Sequence, residues 1–490
     1  MLARRWPLAA AGLLAVAGVA LRFAATGPLW LDESLSVSIA KLPMSEVGEA
    51  LRRDGSPPVY YLLLHAWTAL FGDGAWAARA LSGVISVATL PAAWAFARAV
   101  TGSKRTAWVT ALLMATSPFA ARYGAEARMY ALAQLLVALG GWALVSHARR
   151  PRLSTGVAVA ACSGLLALTH YWALYLLFAV FVLLARRRRW WSSAAAVAGG
   201  GVLFLPWVPT FLYQLAHTGT PWAPRPQPSV LVDAVFEWGG VGAASRFLGL
   251  VMVLLVLLAL FARGGDERRV EIALGAPNPV AGRLAGVVFG TLAVGVLLGL
   301  AVGSGYAARY SSVVLVPFLV LVALGTQVLA SPVARRNAVG VALVLGVIGS
   351  VPAVLTPRTQ AGPVAKALNA RARPGDVVVY CPDQLGPAVS RLVDEPGLEQ
   401  VVYPTRGRPE RVDWTDYEQR NKASDPVAFG RDLAASGRTI WLVTAGGYRT
   451  FGDRCDILAE TLRSSRPAEV VVRSRGRYRP ERMSLLRFAP

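Results

Sequence analysis

Charge is the first thing this chain has little of. Only 16% of its 490 residues are Asp, Glu, Lys or Arg, while 55% are hydrophobic, and the mean hydropathy is +0.47. A soluble chain carries roughly a quarter charged residues, so an ordinary water-facing surface is excluded for most of its length. Histidine and cysteine are also scarce, at four and three residues, and none stands at zinc-ligand spacing. No G-x-G-x-x-G follows a strand-like run and no Walker loop occurs, which excludes those nucleotide-binding devices. Acidic residues number 28 against 50 basic ones, a net charge of +22. The excess is dispersed in short clusters rather than gathered in a patch, so nucleic acid is not an expected partner.

What the chain has instead is long apolar blocks, such as "FLGLVMVLLVLLALFA" and "LAGVVFGTLAVGVLLGLAVG". Each approaches the roughly 20 residues that cross a bilayer core. The basic clusters punctuate these blocks: Arg4–Arg5, Lys104–Arg105, Arg149–Arg150–Arg152, Arg186 to Arg189, Arg268–Arg269 and Arg335–Arg336. With each cluster cytoplasmic, spans are predicted near 7–24, 78–100, 106–121, 128–147, 154–169, 172–185, 190–212, 247–262, 284–303, 310–330 and 338–356. That is a polytopic α-helical protein with about 11 spans, its N-terminus inside and its C-terminus outside, in the cell membrane. The N-terminus has the look of a signal peptide, but Arg22 and Phe23 sit badly for cleavage, so it is read as a retained first span.

A long first outer loop, 25–77, follows from this parity. Within it "PPVYYLLLHAWTALFG" is too short to span comfortably and is predicted to lie at the outer interface, with Tyr60, Tyr61 and Trp67 at headgroup level. The Pro- and Trp-rich segment from Gln214 to Ser245 is predicted to be a lid. From Pro357 the chain turns polar. The strand-like runs "DVVVYC", "QVVYP", "TIWLVTA", "AEVVVRS" and "MSLLRF" alternate with helix-like ones, the pattern of a small α/β domain over 357–490. Cys381 and Cys455 lie there and can pair if the domain faces an oxidising compartment; spacing alone leaves this open. Cys162, in an apolar block, is predicted to be a small buried side chain.

In this topology several polar groups fall on the outer side: Asp32 and Glu33 in "PLWLDES", Asp54 ahead of Pro57, Pro58 and Tyr60, Glu126, Arg128 and Tyr130 in "YGAEARMYAL", His170 and Tyr171 in "THYWALYLL", and Arg309 with Tyr310 in "AARYSS". Singly, each has a plain structural reading: a solvated acid at a helix end, an arginine snorkelling to headgroups, a histidine bonded within the bundle. Together they bring carboxylates and arginines to one leaflet from separate connections, and ionisable groups at membrane depth mark functional sites. A carboxylate can take a proton from an attacking hydroxyl, and an arginine can hold a phosphate. Two adjacent carboxylates also oppose joint ionisation, which predicts a raised pKa for one of them.

"WLDES", "DGSPPVYYLLLHAW", "ATSPFAARYGAEARMYAL" and "THYWALYLL", in that order, resemble the GT-C superfamily of integral-membrane glycosyltransferases. The likeness is to the family 39, protein O-mannosyltransferase-like branch, whose bacterial relatives include the lipid A aminoarabinose transferases. It covers roughly residues 5–350. It implies a polyprenyl-phosphate sugar donor, a hydroxyl acceptor (glycan, lipid or protein) and an outer-loop Asp as base, carried here onto Asp32 with Glu33 as support. Arg128, Arg309, Tyr130 and Tyr310 are the candidates for holding the donor phosphate. Asp54, Pro57, Pro58, Tyr60, Glu126, His170 and Tyr171 are candidates for lining the outer-loop substrate site. The family commonly has His before the Pro pair; Ser56 stands there in this chain, which removes a His-based metal or acceptor contact at that point. No cofactor is required by this reading; some relatives use a divalent metal, and no ligand set for one is evident. The alternative is a transporter or flippase for a lipid-linked glycan, which needs broken spans or paired repeats with ionisable groups near the midplane; neither is visible.

Overall fold

The computed structural model describes residues 2–490 apart from 221, 265–269, 273–277, 303–304, 477 and 479. The Arg268–Arg269 cluster lies outside the described residues.

Apolar sequence becomes helix wherever it is long. The chain opens with α1 (Leu2–Leu21), α2 (Leu31–Ala40), α3 (Met44–Asp54), α4 (Val59–Phe71), α5 (Ala75–Thr101), α6 (Lys104–Thr116) and α7 (Pro118–Gly124). It continues with α8 (Tyr130–Arg149), α9 (Leu153–Ala167), α10 (Trp172–Ala185), a helical stretch α11 (Arg188–His217), α12 (Val230–Trp238), α13 (Ala243–Phe261) and α14 (Pro279–Val302). A 3-10 turn, Ala308–Val314, leads into α15 (Leu315–Val328), and α16 (Pro332–Leu355) ends the bundle.

Among the described residues, seven helical segments are long and apolar enough to cross a membrane: α5, α8, α11, α13, α14, the Ala308–Val328 segment and α16. The first, fifth and sixth predicted spans are shorter apolar helices, Leu8–Leu21, Leu153–Ala167 and Trp172–Ala185. The span predicted over 106–121 is broken into α6 and α7. Ser117 caps the second piece, accepting a bond from the Ala120 amide, and Pro118 occupies its first turn. A proline there cannot continue the preceding helix but suits the start of a new one. The carbonyls left free at the break are not wasted: the buried Arg22 guanidinium donates to the Met114 and Ala115 carbonyls at 2.7 and 2.8 Å. Close helix contact depends on missing side chains, as at Gly325, where a Cβ would meet the Leu255 carbonyl of α13 at 1.8 Å.

The 25–77 connection is mostly helical rather than an open loop. Its α4 differs from expectation in which face is wet. Tyr60 and Tyr61 are fully buried, because their hydroxyls find partners inside: Ser82 Oγ at 2.9 Å and Asp54 Oδ2 at 3.0 Å. Leu62, Leu63, Leu70 and Phe71 make the exposed face instead. Gly55, at φ +81°, ends α3 in the left-handed conformation that reverses the chain toward Pro57 and Pro58.

A short antiparallel hairpin, β1 (Ala262–Gly264) and β2 (Val270–Ile272), lies between α13 and α14. After the bundle come α17 (Ala361–Arg371), β3 (Val377–Cys381), β4 (Glu399–Val402), α18 (Pro426–Ala435), β5 (Ile440–Thr444), α19 (Arg454–Ser465), β6 (Ala468–Val472) and β7 (Ser484–Phe488). The sheet order is β4-β3-β5-β7-β6, with β3 parallel to β4 and β5, and β7 antiparallel to β5 and β6. Strand alternation gives it two apolar faces. Val378, Tyr380 and Trp441 pack with Val364 and Leu368 of α17. Val377, Val379 and Leu442 pack with Leu433 of α18 and Leu458 and Leu462 of α19. Cys381 and Cys455 form a disulfide.

The second face also takes in Trp30, Leu31 and Leu35, while Val37, Ile39 and Ala40 of the same α2 belong to the bundle core. α2 is therefore clamped between the membrane bundle and the C-terminal sheet. One buried acid of the sheet unit makes its stability sensitive to pH. Asp383 is 3% exposed and accepts a bond from the Tyr417 hydroxyl. Burial pushes its carboxyl up to about 7. A folded-state pKa above the unfolded value near 4 means the native state keeps a proton that the unfolded chain releases, so this group's contribution falls as pH rises from about 4 to about 7. Asp383→Asn keeps the acceptor oxygen and removes the titration. The variant is expected to gain on the order of 3 kcal/mol over wild type at pH 8 relative to pH 4, read as melting temperature against pH. A gap between the two proteins that does not change with pH contradicts this.

Candidate active site

On a helix, consecutive side chains diverge by about 100° and residues four apart share a side. α2 therefore sends its two acids apart. Asp32 lies on the same side as Ser36, and Glu33 on the same side as Val37, toward the bundle.

Glu33 is fully buried and its carboxylate is completely engaged. Arg79 of α5 grips it bidentately, Nε to Oε1 at 2.7 Å and NH2 to Oε2 at 2.6 Å. The Ala127 amide donates to Oε1 at 3.1 Å and the Trp30 amide to Oε2 at 3.3 Å. The same guanidinium holds the Gly27 and Pro28 carbonyls at 2.6 and 2.9 Å. Burial alone raises the Glu33 carboxyl, but the charge and bonds of Arg79, with the Arg358 charge and the Ala127 amide, outweigh it and hold it below the usual range. The raised pKa expected from the acid pair is thus not found at Glu33, because its nearest charges are positive.

Asp32 is arranged differently. Its side chain is 13% exposed and lies 3.5 Å from Arg309 NH2, and its Oδ2 has no hydrogen-bond donor among the described residues. Arg309 rises from the 3-10 turn ahead of α15 and stacks over the Trp222 ring at 4.5 Å. Arg128, from the turn between α7 and α8, uses NH1 to reach the Asp32 carbonyl at 3.4 Å, Ser36 Oγ at 3.0 Å and Tyr61 Oη at 3.1 Å. The Nε–H groups of both Arg128 and Arg309 are buried without partners among the described residues. Asp54 closes the chain through Tyr61, and burial raises its carboxyl despite the Arg128 charge.

Next to the arginines stands an aromatic wall. The His170 ring lies 5.7 Å from Tyr130 and 5.4 Å from Tyr310. Burial, reinforced by Arg128 and Arg309, pushes His170 down to about 3, so its imidazole is neutral. Its Nδ1 sits 3.2 Å from the Trp172 amide and accepts from it, which leaves Nε2 to carry the proton.

Other expected residues are braces. The Tyr171 hydroxyl donates to Gln214 and accepts from Trp207 Nε1 at 2.8 Å. Tyr60 is bonded to Ser82, which in turn holds the Arg128 carbonyl at 3.2 Å. Pro57 and Pro58 lead into α4, whose first amide, at Val59, donates to the Leu168 carbonyl at 3.1 Å. Glu126 is buried and paired with Arg358, the first charged residue beyond α16. Between α11 and α13 the Gln214–Ser245 segment carries the short α12; its Thr220 Oγ1 accepts from the Gly305 amide at 2.8 Å, and its Ala223 carbonyl accepts from Arg449 of the C-terminal unit at 2.8 Å. Trp222 is thereby fixed over Arg309. No group of three or more His, Cys, Asp or Glu side chains among the described residues is placed to hold a metal ion. Sequence reasoning missed Arg79, Trp222 and Arg358, whose partners are far away in the chain.

Residues 55–213 match the family model described as dolichyl-phosphate-mannose-protein mannosyltransferase. A search among curated proteins finds no match. Among solved structures, the chain is similar to ArnT from Cupriavidus metallidurans in the apo state, with TM-score 0.64 and 15% identity over 99% of this chain and 98% of that one. The chain has the GT-C fold. The same relative bound to undecaprenyl phosphate matches with TM-score 0.60 and 14% identity, covering 98% of each chain. The mycobacterial arabinofuranosyltransferase AftD shares the GT-C fold at TM-score 0.52 and 14% identity, over 99% of this chain and 40% of its own. The likeness to ArnT runs through the C-terminal sheet as well as the bundle, since both chains are covered almost end to end.

Proposed function

We propose that this protein is a glycosyltransferase that moves a sugar from a polyprenyl-phosphate donor to a hydroxyl acceptor at the outer face of the membrane, with inversion and with Asp32 as base. One observation carries the reading. An acceptor oxygen, Asp32 Oδ2, facing Arg309 at 3.5 Å, and two guanidinium donors, Arg128 Nε and Arg309 Nε, are gathered in one place, and among the described residues none of the three atoms has a hydrogen-bond partner. Buried polar groups are nearly always bonded, so such a set is organised for something that arrives. The matched family model and the undecaprenyl phosphate of the similar ArnT structure favour a lipid phosphate as that arrival.

The acceptor hydroxyl gives its proton to Asp32 Oδ2 as its oxygen bonds to the anomeric carbon. The bond from that carbon to the phosphate oxygen breaks, and the electron pair leaves with the lipid phosphate. A phosphate leaves well without protonation, so no second carboxyl is needed as acid, unlike most glycoside hydrolases. The growing charge needs stabilisation, which Arg128 and Arg309 supply, with Nε2–H of His170 and the Tyr130 and Tyr310 hydroxyls as neutral donors. Glu33 supports the site by fixing α2, not by chemistry.

We place residues 1–356 as the transmembrane transferase domain and 357–490 as an extracytoplasmic α/β domain that braces α2 and Trp222. The basic clusters, taken as cytoplasmic, set this orientation, and the Cys381–Cys455 disulfide suits an oxidising exterior. Arg128→Ala and Arg309→Ala are each expected to lower kcat/KM by about 10²-fold or more, the scale of losing one donor to developing charge. Free polyprenyl phosphate should inhibit wild type competitively and the variants far less. Unchanged inhibition in both variants contradicts the assignment of the phosphate to these arginines.

A further inference from the structure

At the other end of the bundle is a cavity of about 800 Å³, walled by apolar side chains of α5, α8, α9, α10 and α14. Small residues make the room: Gly140 and Gly141 of α8 face Cys162 and Phe96, and a Cβ on Gly141 would come within 2.7 Å of the Phe96 ring. Cys162 is half-buried on this wall rather than enclosed.

One end of the cavity is lined by Arg149, Arg186, Arg187, Arg189 and Arg283. Among the described residues, no acidic side chain lines it and none of these five arginines forms a salt bridge. Arg187, Arg189 and Arg283 gather about the Trp190 ring, at 5.8, 4.6 and 5.6 Å. An apolar hollow with unpaired cations at one mouth matches a molecule with an apolar chain and an anionic head. Basic pockets between membrane helices hold anionic headgroups in this way.

The position also argues which lipid this is. α8 has Tyr130 at its first residue and Arg149 at its last, 20 residues and about 30 Å apart. A phosphate on these arginines is a membrane thickness from Asp32, too far to deliver a sugar there. We propose that the cavity is a binding site for a resident anionic phospholipid of the leaflet opposite the candidate active site, with its acyl chain between α8, α10 and α14 and its phosphate on the arginines. The donor lipid is not its occupant.

The test uses the full-length protein, delipidated in mild detergent and incubated separately with dioleoyl phosphatidylglycerol, dioleoyl phosphatidylcholine or undecaprenyl phosphate, with bound lipid counted by native mass spectrometry. Wild type should bind phosphatidylglycerol and little phosphatidylcholine. The triple variant Arg187→Gln, Arg189→Gln, Arg283→Gln should lose roughly a hundredfold in phosphatidylglycerol affinity, at about 1 kcal/mol for each arginine, with undecaprenyl phosphate binding unchanged. Cys162→Phe, which fills the wall without touching charge, should also reduce phosphatidylglycerol binding, and decides the matter should the triple variant not fold. Wild-type phosphatidylglycerol binding in Cys162→Phe and in a folded triple variant overturns the proposal. So does a loss of undecaprenyl phosphate from either variant, which would make the cavity part of the donor's path.

Discussion

Arg79→Ala is expected to cost about 3–5 kcal/mol, the usual penalty for leaving one charge of a buried pair without its partner. The side chains are 8% and 0% exposed, and the guanidinium serves Glu33 and the 27–28 backbone together. Its removal should therefore loosen α2 from the bundle, lowering folded yield and melting temperature along with activity. Glu33→Gln keeps the shape and some of the bonds, so its loss of stability should be smaller. Activity in Glu33→Gln should follow the fraction folded. A Glu33→Gln protein with the wild-type melting temperature and no transfer would falsify the structural role of Glu33 and return it to the chemistry.

Asp32→Asn is expected to do the reverse. Its side chain is 13% exposed and meets Arg309 at 3.5 Å with no hydrogen bond through Oδ2, a looser pair than the bidentate one of Glu33 and Arg79, so expression, membrane insertion and melting temperature should stay close to wild type. Transfer should fall by about 10²–10⁴-fold, the contribution of a positioned general base. The amide cannot take the acceptor proton, and two neighbouring carboxylates are already engaged, Glu33 by Arg79 and Glu126 by Arg358. The contrast between the variants matters more than either alone, because adjacent residues of one helix are assigned to stability and to chemistry.

The sequence made the bundle legible because hydropathy and basic clusters report directly on what a bilayer accepts. The strands from "DVVVYC" to "MSLLRF" were legible for the same reason, as short apolar runs between polar connections. The break at Ser117–Pro118 carried its own signal, a capping Ser followed by Pro, hidden inside an otherwise apolar run. Tyr60 and Tyr61 were misplaced because composition cannot tell which face of a short amphipathic helix meets protein. A loop leaves the roles of Asp32 and Glu33 joined, whereas the helix formed by 31–40 separates them by its geometry. Arg79, Trp222 and Arg358 had no local signal. Glu33 and Arg79 are 46 residues apart, and Glu126 and Arg358 are 232 apart; only the fold brings such partners together.

Following the label of a radiolabelled sugar on polyprenyl phosphate, in vesicles carrying the purified protein and a hydroxyl acceptor, most directly separates chemistry from transport. The expected result is that label moves to the acceptor with inverted anomeric configuration, that free polyprenyl phosphate appears in equal amount, and that Asp32→Asn does neither. Label that stays on its lipid and only changes leaflets would contradict a transferase and make the protein a carrier of the lipid-linked sugar.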